Sequence, residues 1–304
     1  MTRIWRMVGG QPQRGRLEAA LLLGIMMTVA VSSAWGQNRS AMVATADGAR
    51  IHFVDAGAGT PIVFVPGWTM PADIWRPQLD YFSRTHRTVA IDPRCQGKSS
   101  CPTEGLDSAT RARDIRAVMV HLKLRAAVLV AWSQGVTEAA AYVDQFGTAD
   151  IAGFVFVDGV AGGEFDAATI GRIVTSLAPF QSDRSSATDA FVRRLYVRPQ
   201  PEAYIEEIKR AALSTPTNAA IAMAVGALTA NYQRALPAID KPCLIVAPAA
   251  GMLDVYRAMR DKVADARLVV IERAGHAVFV DAPDEFNRLL SEFVVKVGSA
   301  HSER

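Results

Sequence analysis

The stretch Val128-Leu129-Val130-Ala131-Trp132-Ser133-Gln134-Gly135 constrains this chain more than any other. Apolar residues run without interruption into a serine, and from Gln134 to Phe146 the pattern changes to apolar residues at three and four spacing. A continuously apolar strand is buried on both faces, as strands of a parallel sheet are, and a period of 3.6 marks a helix. Ser133 therefore stands at the carboxyl end of an interior strand, in a small-x-Ser-x-Gly turn that leads into a helix. Small residues suit both ends of such a turn. It is strained, it brings neighbouring backbone close, and it thrusts the serine hydroxyl clear of the sheet, the geometry of a nucleophile elbow. Ala131 replaces the more usual glycine at the first small position. A serine before a helix also reads as an N-cap, and the strand-turn-helix context is what favours the elbow.

The rest of the chain repeats this alternation. Arg50 to Asp55, Ile62 to Val65, Thr88 to Asp92, Ala126 to Ala131, Ile151 to Val157, Cys243 to Ala247 and Arg267 to Ile271 read as strands. Thr110 to Leu122, Gln134 to Phe146, Val255 to Val263 and Pro283 to Val297 read as helices, the last with Asp281 as its N-cap and Asp284 three residues on. Alternation of this kind predicts an α/β fold with a mostly parallel central sheet flanked by helices. Val160 to Leu236 breaks the rhythm with helical patterns and prolines but no strand, and is far too long for an ordinary connection. It is expected to be an inserted helical cap over the carboxyl edge of the sheet, where open α/β folds place ligands. The expected organisation is a leader at 1–36, a first core part at 37–159, a cap at 160–236 and a second core part at 237–304.

Arg3, Arg6, Arg14 and Arg16 precede an apolar run from Ala19 to Val31, followed by small residues at Ala34 and Gly36. This is the pattern of a secretory signal peptide cut before Gln37. The competing reading, a membrane anchor, needs about 20 apolar residues, more than this run supplies. A periplasmic or secreted protein is therefore expected, with no stable membrane partner once processed. The formal net charge of +3 resides in the leader. A neutral remainder gives no electrostatic footprint for nucleic acid. Apolar residues at 50% and charged residues at 21%, without a biased tract, exclude disordered, collagenous and coiled-coil classes. Of three cysteines, Cys95 and Cys101 lie six apart in a loop and are either a local disulfide or two free thiols, and Cys243 reads as buried at a strand start. No cysteine or histidine spacing fits a metal, so none is expected.

Several motifs together give the chain a family likeness. Val63-Phe64-Val65-Pro66-Gly67-Trp68 looks like a strand and oxyanion loop, Ile91-Asp92-Pro93-Arg94-Cys95-Gln96-Gly97-Lys98-Ser99 like an Asp-x-Arg-x-x-Gly-x-Ser loop, and Ala274-Gly275-His276 like a terminal histidine turn. With the elbow between them and in this order, the chain resembles the α/β-hydrolase superfamily over about Arg50 to Val297. The resemblance implies a serine esterase-like enzyme with a helical cap, needing no cofactor and acting on a small-molecule acyl substrate. Ser133 would be the nucleophile and His276 the base, taking the serine proton and returning it to the leaving alcohol. His52, His86, His121 and His301 read as structural. The oxyanion hole would come from the backbone N–H groups of Gln134 and Trp68. The large side chains of Trp68 and Trp132 are either walls of the acyl pocket or plain core.

The acid is where the chain departs from the family. The usual slot after the strand Cys243 to Ala247 holds Pro248-Ala249-Ala250-Gly251-Met252-Leu253, with no carboxylate before Asp254. A second arrangement in the superfamily puts the acid after the preceding strand, where Asp158 stands. Asp158 is the favoured acid and Asp254 the alternative. A carboxylic-ester hydrolase is the leading expectation. C–C bond hydrolase, lactonase, peptidase and perhydrolase-type haloperoxidase chemistry use the same groups, and a non-catalytic binding module would be signalled by a lost acid. Dehalogenase and epoxide-hydrolase members carry Asp where this chain has Ser133. Substrate identity and oligomeric state are left open.

Overall fold

The computed structural model describes residues 39–164 and 166–302; the leader and its cleavage position lie outside the described residues. Eight strands form one sheet: β1 (Arg39–Ala44), β2 (Arg50–Ala56), β3 (Pro61–Val65), β4 (Arg87–Ile91), β5 (Ala127–Trp132), β6 (Ile151–Val157), β7 (Cys243–Pro248) and β8 (Ala266–Ile271). Their spatial order is β1-β2-β4-β3-β5-β6-β7-β8. β2 pairs antiparallel with β1 and β4, and every other neighbour is parallel. The α/β class with a mostly parallel sheet follows. β1 escapes the sequence reading because it is an edge strand, half exposed along its length, and carries no continuous apolar run.

Among the described residues ten α-helices flank the sheet: α1 (Arg76–Phe82), α2 (Ser108–His121), α3 (Gln134–Phe146), α4 (Ala167–Ser182), α5 (Arg184–Arg193), α6 (Glu202–Ser214), α7 (Thr217–Thr229), α8 (Leu253–Lys262), α9 (Val278–Asp281) and α10 (Pro283–Ser302). α2 starts at an Asp107 cap whose carboxylate accepts from the Thr110 N–H at 2.9 Å. The alternation of β5 divides the core. Ala127, Leu129 and Ala131 face a layer built with α2, α3 and α8, whereas Val128, Val130 and Trp132 face α1, α9, α10 and part of α5 and α6. Residues buried this completely contribute roughly 1.5–3 kcal/mol per large apolar side chain, so the two layers dominate stability.

Between β6 and β7 the described residues make α4 to α7 and one isolated bridge, Gly162 to Asn231, with no sheet strand among them. This insertion clusters with the sheet rather than standing apart.

Asp281 requires a correction. It does not cap α10, because its buried carboxylate accepts the backbone N–H groups of Gly275 at 2.7 Å, Val197 at 2.8 Å and Arg198 at 3.2 Å. Three fixed donors outcompete the helix terminus, and they tie the turn before His276 to the α5–α6 connection. Cys95 and Cys101 form a disulfide, and Cys243 is a buried thiol at the start of β7. Among the described residues no single helix is long and apolar enough to cross a membrane.

Candidate active site

Ser133 closes β5 with φ 57° and ψ −123°, a backbone conformation that L-residues rarely adopt, and α3 begins at the next residue. The turn holds because its surroundings admit no bulk. A Cβ on Gly135 would lie 2.8 Å from the Val65 carbonyl oxygen, and one on Gly67 would lie 2.8 Å from the Ser133 Cβ. The β3 loop is thereby packed against the elbow. At the first small position Ala131 fits fully buried, so the extra methyl is accommodated.

His276 reaches the same point from the end of β8. Its backbone is held on three sides: the Trp132 indole N–H donates to its carbonyl at 2.9 Å, Gly275 N–H donates to Asp281, and Ala277 N–H donates to the Leu195 carbonyl at 2.9 Å. Its Nε2 lies 2.9 Å from Ser133 Oγ. Its Nδ1 lies 2.5 Å from Asp158 Oδ2. An ionised carboxylate only accepts, so this pairing puts the imidazole proton on Nδ1 and leaves Nε2 to accept from the serine hydroxyl. Asp158 follows β6 at a positive φ of 39°, anchored by its own N–H to the Val246 carbonyl. Asp254 lies in the first turn of α8, pairs with Arg257 at 2.7 Å, and its side chain is 97% exposed. Of the two acids, the fold brings Asp158 to the histidine and leaves Asp254 on the surface.

The second oxygen of Asp158 has a partner that sequence reasoning missed. Tyr256 of α8 donates its hydroxyl to Oδ1 at 2.5 Å. Burial, and then the neighbouring carboxylate, push the phenol well above its ordinary range, so it remains protonated and a donor. In the sequence Tyr256 belongs to an apolar spacing with Met259 and Val263, and nothing separates it from core.

A cavity of about 590 Å³ opens over Ser133 and His276. Trp68 and Gln134 line it, and their backbone N–H groups have no partner among the described residues. Ile173 of α4 and Ala224 and Leu228 of α7 add apolar wall, so the insertion forms part of the site. The Trp68 indole N–H donates to the Ala220 carbonyl at 2.8 Å and its ring meets Phe180 and Phe191 edge-on, joining the β3 loop to the insertion. Trp132 requires a correction: it is not among the residues lining the cavity. Alternation along β5 turns its side chain to the opposite face, where it packs against Trp75, Phe279 and the His276 ring.

His52, read as structural, occupies a similar chain elsewhere. Its Nε2 lies 2.7 Å from Ser40 Oγ and its Nδ1 2.7 Å from Asp92 Oδ2. Among the described residues no cluster of three or more histidine, cysteine, aspartate or glutamate side chains is placed to hold a metal ion.

Comparison with known proteins agrees with this architecture. Residues 62–289 match the model of the Alpha/beta hydrolase family. The chain is 38% identical over 119 residues to a non-heme haloperoxidase of Rhodococcus erythropolis, a match covering 39% of this chain and 43% of that protein. It thus spans less than half the length of that curated relative. It is 27% identical over 286 residues to a putative non-heme chloroperoxidase of Synechocystis, covering 85% of this chain and 98% of that one. An esterase of Exiguobacterium antarcticum superposes with a TM-score of 0.80 at 23% identity, covering 84% of this chain and 99% of the esterase, which shows the shared fold.

Proposed function

The chain belongs to the alpha/beta hydrolase family, and from that premise we propose that it is a serine hydrolase that cleaves carboxylic esters through an acyl-enzyme on Ser133. The observation that carries this reading is the unbroken chain from Ser133 Oγ through His276 to Asp158 at the floor of a largely apolar cavity. His276 Nε2 takes the hydroxyl proton as Oγ bonds to the ester carbonyl carbon, and the carbonyl electron pair moves onto oxygen. That oxyanion faces the N–H groups of Trp68 and Gln134, donors of a kind worth on the order of 10²- to 10³-fold in rate. As the tetrahedral centre collapses, the C–O bond to the alcohol breaks and His276 returns the proton to the leaving oxygen. Water then repeats the sequence on the acyl-enzyme. Asp158 stabilises the imidazolium and fixes its tautomer, with Tyr256 sharing its charge.

The lining of the cavity favours neutral acyl groups, since Ile173, Ala224, Leu228 and Met252 offer no cation for a substrate carboxylate. A second reading, perhydrolase chemistry in which peroxide replaces water at the acyl-enzyme, is favoured by the haloperoxidase relative. Export is part of the proposal. The basic and apolar leader supports it, and so does a disulfide, which persists in oxidising compartments.

Labelling with a fluorophosphonate probe tests the reading. The probe should attach to Ser133, and Ser133→Ala should lose both the label and hydrolysis of p-nitrophenyl butyrate while remaining folded. Labelling or hydrolysis that survives the substitution would exclude Ser133. Adding peroxide and halide to the wild type separates the two readings: halogenation of a reporter at a rate rivalling hydrolysis would favour the second.

A further inference from the structure

Gln96 is fully buried between the loop that follows β4 and the loop 66–70 that follows β3. Its amide spends every hydrogen-bonding capacity. Nε2 donates to the carbonyls of Gly67 at 3.0 Å and Met70 at 2.7 Å. Oε1 accepts from Thr69 N–H at 3.2 Å and from the Arg111 guanidinium at 3.0 Å. Only one orientation of the amide does this, because turning it over would set NH₂ against two donors and oxygen against two carbonyls.

The consequence lies in the peptide that Gln96 grips. The Gly67 carbonyl and the Trp68 N–H are the two ends of a single planar unit, and no peptide bond in the described chain is cis. In a trans peptide these groups point in opposite directions, so fixing the carbonyl fixes the line along which the N–H points. Gly67 lies against Ser133, with space for no Cβ between them. Glycine is also the residue that most readily lets its peptide rotate. The Gly67 carbonyl also accepts the Met70 N–H at 3.2 Å, and the Met70 carbonyl is itself held by Gln96, so without the amide this turn hydrogen bond alone would hold the unit and it could turn away from Ser133.

We propose that Gln96 is a positioning residue for the oxyanion hole: by holding the Gly67 carbonyl, with Met70 and Thr69 clamped beside it, it aims the Trp68 N–H at the reacting oxygen. Arg111 anchors the amide from α2, and the disulfide at Cys95 holds the chain immediately before it. The inference rests on the reading of Ser133 as nucleophile and Trp68 N–H as oxyanion donor. In the sequence Gln96 is one of the unspecified positions of the Asp-x-Arg-x-x-Gly-x-Ser motif, so the pattern did not single it out.

The test is Gln96→Met, similar in length but unable to hydrogen-bond, with Gln96→Glu as a second variant that keeps the acceptors and loses the donors. Turnover of p-nitrophenyl butyrate is expressed per serine titrated to completion with a fluorophosphonate, so unfolded protein is not counted. Both variants should lose about 10²-fold in kcat, the cost of one oxyanion donor, with KM within about threefold. Affinity for an alkyl boronic acid, whose tetrahedral adduct needs the same donor, should fall in parallel. A kcat per titrated serine within about threefold of wild type overturns the inference, whatever happens to the melting temperature, because Gln96 would then be packing alone. If the wild type neither hydrolyses the ester nor labels at Ser133, the reading of the site has failed and the inference falls with it. An active wild type with unaffected variants sinks the inference by itself.

Discussion

Tyr256 and His276 grip opposite oxygens of one carboxylate: the tyrosine hydroxyl lies 2.5 Å from Asp158 Oδ1 and the histidine Nδ1 2.5 Å from Oδ2. The carboxylate is nearly buried, and two donors satisfy it without a cation. This is how an acid at the end of β6 would serve in the proposed triad, where the slot after β7 is empty. The tyrosine comes from α8, the first helix after that slot, so the segment that lacks the carboxylate supplies the group that steadies its replacement.

The first expectation concerns that acid. Asp158→Asn should lower kcat on an activated ester by at least about 10³-fold at neutral pH, since the amide no longer fixes the histidine tautomer. Asp254→Asn should change kcat by less than about tenfold, because its partner is Arg257 on the surface. Tyr256→Phe should fall between, at about tenfold, by leaving one carboxylate oxygen buried without a donor. Steady-state kinetics on the three variants decide the matter, and a severe loss in Asp254→Asn alone would transfer the role.

The disulfide gives a second expectation. Cys95 packs with Ala219 and Met223 of α7 and with Trp68, so the bridge braces the loop that meets the insertion. Closing so short a loop restricts the unfolded chain by about 2 kcal/mol. The Cys95→Ser, Cys101→Ser double variant should melt roughly 5 °C lower, and calorimetry under reducing conditions should bring the wild type to the same temperature. Coincident melting curves for the two oxidised proteins would show that the bridge constrains nothing.

Sequence pattern reached the parallel strands because each is a continuous apolar run, a signal that requires no neighbour to interpret. The candidate residues Ser133 and His276 were legible for a related reason, since Ser133 directly follows β5 and His276 lies in the short turn that follows β8. Asp158 needed a comparison of slots, and two candidates remained until the fold put one beside the histidine. Gln96, Tyr256 and the true role of Asp281 were out of reach. Each acts through partners far away in the chain, as when Gln96 binds Gly67 and Arg111, and no local period encodes that. For Trp132, pocket wall and core were both open, and alternation along β5 decides for core, because adjacency to Ser133 in sequence means opposition across the sheet.

A third expectation comes from behind the elbow. Glu138 of α3 is fully buried with Arg111, Nε to Oε1 at 2.9 Å but without hydrogen-bond alignment. Burial pushes its carboxyl from 4.5 up to about 7, against the pull of Arg111. The folded state therefore binds the proton more tightly than the unfolded one. The stability from this group is complete below about pH 4.5 and is lost as pH rises through about 7. Melting temperature measured from pH 4.5 to 8 should carry a downward contribution that Glu138→Gln removes. An unchanged slope in the variant would mean that Glu138 is ionised across the whole range.

Ser40, His52 and Asp92 supply the last expectation, as an internal control on what connectivity alone achieves. Their distances of 2.7 Å and 2.7 Å are hydrogen-bonding distances, as are the 2.9 Å and 2.5 Å of the candidate triad. Ser40, however, lies in an extended edge strand whose ladder with β2 pairs it opposite Val54, and neither it nor His52 lines the cavity over Ser133. Among the described residues there is no elbow to project this hydroxyl and no pair of free N–H groups at a helix start to receive an oxyanion there. Asp92 has another task, accepting the N–H groups of Ala72 at 2.5 Å and Lys98 at 2.8 Å and so holding two loops together. A nucleophile without oxyanion donors forgoes on the order of 10²-fold or more in rate for each one missing. Ser133→Ala should therefore show no fluorophosphonate adduct at Ser40 by peptide mass spectrometry, and His52→Ala should lower the melting temperature while leaving labelling of Ser133 intact. An adduct on Ser40 that disappears in the Ser133→Ala, His52→Ala double variant would show that the hydrogen-bonded chain suffices for reactivity without its surroundings.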